Sequence, residues 1–89
     1  MSHWTLIVTA PAERSLTRLT ERIAAAIVEF LVGPLSDSPT TVGKPLRGEL
    51  SGYWSARRGS YRIVYRVDHE YQQIVVVRIE HRSDVYRTR

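Results

Sequence analysis

The residues best equipped for chemistry in this 89-residue chain are its arginines, and most of them lie in one half of it. Arg57, Arg58, Arg62, Arg66, Arg78, Arg82, Arg87 and Arg89 share that half with Tyr53, Trp54, Tyr61, Tyr65, Tyr71 and Tyr86, while Lys44 and Arg47 carry the positive charge to its start. Residues 44–89 hold ten basic side chains against five acids, a balance of +5, whereas residues 1–43 balance at −1. Lys44 is the only lysine, so the positive charge is almost all guanidinium. A guanidinium matches phosphate oxygens with a fixed fork of donors and stacks on bases, and aromatic rings between such groups offer faces to unpaired bases. The chemistry suggested is recognition of, or reaction at, a phosphodiester, with nucleic acid or an acidic protein as partner. A solvated basic face that merely keeps a small domain soluble would share this composition.

Other chemistries find less support. Gly48, Gly52 and Gly59 are scattered, and Lys44 is followed by Pro45, so no phosphate-cradling loop is formed. The chain has no cysteine, and His3, His69 and His81 show no metal-ligand spacing, so neither a metal nor another cofactor is expected. Nothing singles out one serine as the nucleophile of a hydrolytic triad. Met1-Ser2-His3-Trp4 lacks the basic flank and apolar run of a signal peptide, and no apolar stretch reaches membrane-spanning length. A cytoplasmic location without membrane association is the expectation, and the length fits a single domain over residues 1–89.

The elements that must position these residues follow from periodicity. Trp4 to Thr9 is β-branched and aromatic and stops at Pro11, which reads as a short strand. Pro11-Ala12-Glu13 suits a helix start, and Leu16 and Leu19 continue that helix on one face. Ile23, Ile27, Phe30 and Leu31 form the buried stripe of a second helix, which Gly33-Pro34 stops or kinks. A polar loop over 36–43 leads to three strands, Tyr53 to Arg58, Ser60 to Val67 and Gln73 to Ile79. Arg58-Gly59-Ser60 is a tight turn and Asp68-His69-Glu70 a second connection of hairpin length. The order β-α-α-β-β-β predicts an α+β fold, a helical hairpin packed on a small, mostly antiparallel four-stranded sheet. Strict alternation puts Tyr61, Ile63, Tyr65 and Val67 on one face and Arg62, Val64 and Arg66 on the other. In the last strand it separates Val75, Val77 and Ile79 from Ile74, Val76 and Arg78. The more apolar face should meet the helices and the arginine face should carry function.

Two segments resemble a known family. The run from Lys44-Pro45-Leu46 through Leu50-Ser51-Gly52-Tyr53-Trp54 to Arg57-Arg58-Gly59-Ser60-Tyr61-Arg62-Ile63-Val64-Tyr65 is similar to the lysine-x-leucine turn, LxGxW strand and R-x-G-x-Y-R-[IVL]-x-Y hairpin of RelE-type bacterial toxins. Ile79-Glu80-His81-Arg82-Ser83-Asp84-Val85-Tyr86 resembles that family's I-x-H-R-x-x-[VI]-Y terminus. The resemblance implies a toxin of a type II toxin–antitoxin system. Such a toxin enters the A site of the 70S ribosome and cuts mRNA by attack of a 2′-hydroxyl on the adjacent phosphate, until a cognate antitoxin masks it. It is a metal-independent endoribonuclease that inhibits translation.

The resemblance also distributes roles. Arg62 is assigned to the phosphate and its transition-state charge, Arg57 lies beside it across the hairpin, and Arg82 is a third cation near the leaving group. Tyr86 is to stack on or orient the base beside the cut. Lys44, Arg47, Arg58, Arg78, Arg87 and Arg89 are candidates for holding the RNA. Family members place two basic residues at alternate positions of the strand before the hairpin, and the corresponding Ser55 and Arg57 leave one cation missing. Arginine stays protonated and is a poor base. His81 is therefore either the general acid or base, or a hydrogen-bonded anchor of the C-terminal segment. Two rival readings remain, a ParE-like toxin that poisons gyrase and an RNA-binding module without catalysis.

Overall fold

The computed structural model describes residues 4–85, the side chains of Asp84 and Val85 apart. β1 (Thr5–Val8) runs into α1 (Ala10–Thr17), where Thr9 is the N-cap and Pro11 occupies the first turn, a position that needs no backbone donor. α2 (Glu21–Phe30) starts at Thr20, whose hydroxyl accepts the Ile23 N–H at 3.4 Å. Pro34 does not stop this helix. The chain widens into a π-helical turn, Leu31–Leu35, and the Ser36 hydroxyl donates to the Leu31 carbonyl at 2.6 Å. A proline removes one helical N–H, and a wider turn with a side-chain donor offsets the loss.

The segment expected to be a plain loop contains a short helix, α3 (Pro39–Val42), and leads into a two-residue strand, β2 (Lys44–Pro45). A 3-10 turn, Gly48–Leu50, then precedes β3 (Tyr53–Arg58), β4 (Tyr61–Asp68), β5 (Gln73–His81) and the short α4 (Arg82–Val85). The sheet has five strands in the order β1-β5-β4-β3-β2, with β1 parallel to β5 and every other pairing antiparallel. The expected architecture stands with one strand added at the edge. A two-residue strand has no periodicity to read; its pairing with Trp54 and Ser55 comes from the folded chain alone.

Helices and sheet meet over Ala12, Ile27, Leu31 and Leu35 on one side and Ala56, Ile63, Tyr65, Ile74, Val76 and Ile79 on the other. Ile23 and Phe30 complete the α2 stripe as half-buried neighbours. Tyr65 is fully buried, and its hydroxyl donates to the Pro39 carbonyl at 2.6 Å. A Cβ at Gly43 would fall on that hydroxyl, so the chain passes there only without a side chain. Burial pushes the Tyr65 phenol up to about 12.

The expected alternation of β5 fails at one point. Ile74 and Val76 face the core, as does Ile79, which breaks the period of two. The cause is a β-bulge: Val64 lies opposite Arg78 but Tyr65 lies opposite Val76, so Val77 is an extra residue. Unbroken alternation from Val76 would send Arg78 and Glu80 into the core. The bulge turns both to the far face and brings Ile79 inward.

Candidate nucleic-acid interface

Cross-strand partners share a face, so the register assembles the site in rows. Arg57 on β3 lies opposite Arg62 on β4, which lies opposite Glu80 on β5. The next row is Lys44, Ser55, Val64 and Arg78, across four strands. Beyond it come Tyr53, Arg66 and Val75. Arg57 and Arg62 face each other on adjacent strands, a like-charge pairing that costs stability unless an anion lies between or above them.

The second row bears on the missing cation at Ser55. Lys44 is its direct neighbour on β2, exposed and on the same face. A long, flexible lysine one strand away can reach over the small serine, at a strand spacing of roughly 5 Å. Two sequence features that look unrelated, a serine where a base is expected and a lone lysine eleven residues earlier, are one feature in space.

Glu80 holds the centre. Its side chain is 13% exposed, and its two oxygens are taken by two different guanidiniums, Oε1 by Arg62 Nη2 and Oε2 by Arg78 Nη1, each at 3.2 Å. Arg62 is fixed further by depth: its Nε is buried and, among the described residues, has no hydrogen-bond partner. An unmet buried donor costs about 1–3 kcal/mol, a strain expected where a ligand is to complete the bonding. Next to it is a cavity of about 220 Å³, lined by Leu50, Tyr53, Arg62, Val64, Val77 and Arg78. Its floor is apolar and its rim cationic, the arrangement that takes a base against the floor and a phosphate at the rim.

The remaining candidates divide by parity. Arg58 and His81 lie in a row with Tyr61, on the face that looks toward the helices. Arg58 borders cavities beside α2, together with Ile23, Ala26 and Phe30. The His81 ring stands edge-on to Tyr61, with centroids 5.1 Å apart. Its Nδ1 accepts the Ser83 backbone N–H at 3.1 Å and lies 2.8 Å from the Ser83 hydroxyl. A backbone N–H can only donate, so in the neutral ring the proton is on Nε2. His81 is thus not brought together with Arg62. Arg82 begins α4, exposed, with its backbone N–H on the Ser60 carbonyl at 2.8 Å. Arg47 is exposed between β2 and the 3-10 turn. Tyr86, Arg87 and Arg89 lie outside the described residues.

Sequence reasoning missed Glu80 and passed over Arg66 as a site residue. Glu80 reads as the variable position of the I-x-H-R motif, and without the bulge its face is assigned wrongly. The available signal was chemical: a carboxylate two residues after Arg78, in a strand otherwise apolar, needs cations around it.

A helical hairpin packed on a five-stranded sheet with a basic outer face is the architecture of a class of small toxins of toxin–antitoxin systems, and the comparisons agree. The family model for the ParE toxin of type II toxin–antitoxin systems matches residues 6–86, and the chain belongs to that family. It is a type II toxin of RelE type within the RelE/ParE superfamily. It is 52% identical over 84 residues to Toxin RelG of Mycobacterium tuberculosis, covering 94% of this chain and 97% of that protein. Toxin RelE of the same organism is 51% identical over 80 residues, covering 90% of this chain and 82% of that protein. Among solved structures, the toxin–antitoxin complex RelBE2 from M. tuberculosis matches with a TM-score of 0.85 at 52% identity, over 89% of this chain and 98% of that one.

Proposed function

We propose that this toxin is a ribosome-dependent endoribonuclease that cuts mRNA in the A site without a metal, and that a cognate antitoxin holds it inactive. The observation that carries the reading is Arg62, which is flanked by Arg57 and Glu80, holds an unmet buried donor and borders a cavity with an apolar floor. In this reaction the nucleophile is the RNA's own 2′-hydroxyl. The protein has to align it with the phosphate, stabilise the added charge and handle two protons. Arg62 and Arg57 take the non-bridging oxygens of the phosphorane. Arg78 and Lys44 hold the flanking backbone, with Arg47, Arg66, Arg87 and Arg89 as outer contacts. Arg82 serves the leaving group and Tyr86 the neighbouring base. His81 anchors the turn into α4 through Ser83, and Arg58 belongs to the helix-side surface.

The antitoxin assignment rests on the +5 balance of residues 44–89 and on the RelBE2 complex of the relative. An acidic, amphipathic segment suits a groove between α2 and the β3–β4 turn, whose apolar wall of Ile23, Ala26 and Ile27 has Arg22 and Arg58 at its rim. Co-expression with its antitoxin should relieve growth arrest and yield a stable complex.

The ParE name of the family model favours one other reading, gyrase poisoning. Programmed ribosomes with an empty A site separate the two. Cleavage within the A-site codon that depends on the ribosome and falls about 100-fold or more in Arg62→Ala is the expected result. Growth arrest without cleavage, together with inhibited supercoiling, would replace this reading by the gyrase one.

A further inference from the structure

We propose that Glu80 is the general base of the cleavage reaction, an inference that rests on the nuclease reading above. Transfer of a 2′-hydroxyl to phosphorus needs a group that can accept its proton. The arginines cannot, and His81 faces the other side of the sheet. Among the described residues, Glu80 is the carboxylate in the same row as Arg57 and Arg62. Asp68 stands at the other end of β4, where its Oδ1 accepts the Glu70 and Tyr71 N–H groups of the turn.

The geometry leaves Glu80 room to act. Each carboxylate oxygen offers two lone-pair directions, and each accepts one guanidinium donor, Arg62 on Oε1 and Arg78 on Oε2. One direction on each oxygen stays open. Both contacts, at 3.2 Å, are longer than the roughly 2.7–2.9 Å of a tight charge-assisted bond, so the clamp orients the carboxylate without saturating it. A phosphate bound to Arg62 would lie beside Glu80, because the two side chains are already in contact at 3.2 Å, and the 2′-hydroxyl that attacks it would come within reach of the carboxylate. As Arg62 turns its donors to the phosphate, its hold on Oε1 relaxes and that oxygen takes the proton.

The step balances. The 2′ oxygen bonds to phosphorus while its proton passes to Glu80, and the bond from phosphorus to the 5′ oxygen breaks. Water protonates the leaving 5′ oxygen, Glu80 returns its proton to solvent, and the products are a 2′,3′-cyclic phosphate and a 5′-hydroxyl. The charged groups facing Glu80 are Arg62 from β4, Arg78 from β5 and, one strand further, Arg57 from β3.

Single-turnover cleavage on programmed ribosomes, with ribosome affinity measured alongside, tests the role. Glu80→Gln should slow cleavage by about 100-fold or more while binding is unchanged or tighter, since a negative charge leaves a phosphate site. Glu80→Asp, which keeps a carboxylate on a shorter arm, should recover part of the rate, and it carries the test if the Gln variant fails to fold. A Gln variant within threefold of wild type, or an Asp variant no faster than the Gln one, overturns the assignment to Glu80 alone. A wild-type toxin that does not cut RNA overturns the reading beneath it as well.

Discussion

The two faces of this sheet are built from the same strands and obey opposite rules. On β4, Ile63 and Tyr65 point to the helices and are fully buried, with the Tyr65 hydroxyl satisfied by Pro39. The residues between and beside them, Arg62, Val64 and Arg66, point away. There like charges stand opposite each other, a carboxylate is shared between two cations, and a buried donor goes unmet. The first face minimises free energy in the free protein. The second keeps a strain that a bound anion would relieve, and the apolar face has to supply the stability it forgoes.

Substitutions on each face should therefore separate stability from activity. The largest effect is expected from Ile63→Ala, which should remove about 2–5 kcal/mol of stability in a denaturant melt while each folded molecule still cuts at the wild-type rate. Arg62→Ala is its mirror, with cleavage down by two orders of magnitude or more and a melting curve displaced only slightly. Tyr65→Phe should cost about 1–3 kcal/mol, because it leaves the Pro39 carbonyl buried without a donor. It also changes the pH response. The Tyr65 phenol is raised in the folded state from 10.0 to about 12, so its stabilising contribution is complete below pH 10 and is lost as pH climbs through about 12. Urea melts across that window should show the loss in wild type and a shallower one in Tyr65→Phe. The smallest effect belongs to Lys44→Ala, a few-fold weaker RNA binding whose salt dependence flattens by roughly one counterion, with the rate of the bound complex unchanged.

The parts of the fold set by local rules were legible in the sequence. Gly59, at φ +62°, makes the turn between β3 and β4, and the alternation of β4 marks its two faces correctly. Pro11 marks the start of α1, and the α2 stripe identifies its buried side. What escaped depends on partners distant in the chain. β2 exists because Lys44 and Pro45 find Ser55 and Trp54. The bulge at Val77 exists because β5 must pair with β1 and β4 while covering a core that needs both Val76 and Ile79. The site inherits the same divide. Arg57 and Arg62 share a row because a tight turn joins their strands, which the sequence states openly. The row's third member, Glu80, and the separation of His81 from it follow from a one-residue shift in phase that no local pattern announces.

The tie between Tyr65 and the α3 segment has a consequence for the opposite side of the sheet. Its hydroxyl grips the chain at Pro39, and Gly43 lies against it, one residue before Lys44. The tether thus fixes where β2 begins, and so where Lys44, the cross-strand neighbour of Ser55, comes to rest. A methyl group at position 43 would push on a ring in the core and be felt as a displaced charge on the basic face of the sheet. In that sense the sheet transmits rather than insulates, and a glycine packed against the core helps to set where charge sits on the opposite face.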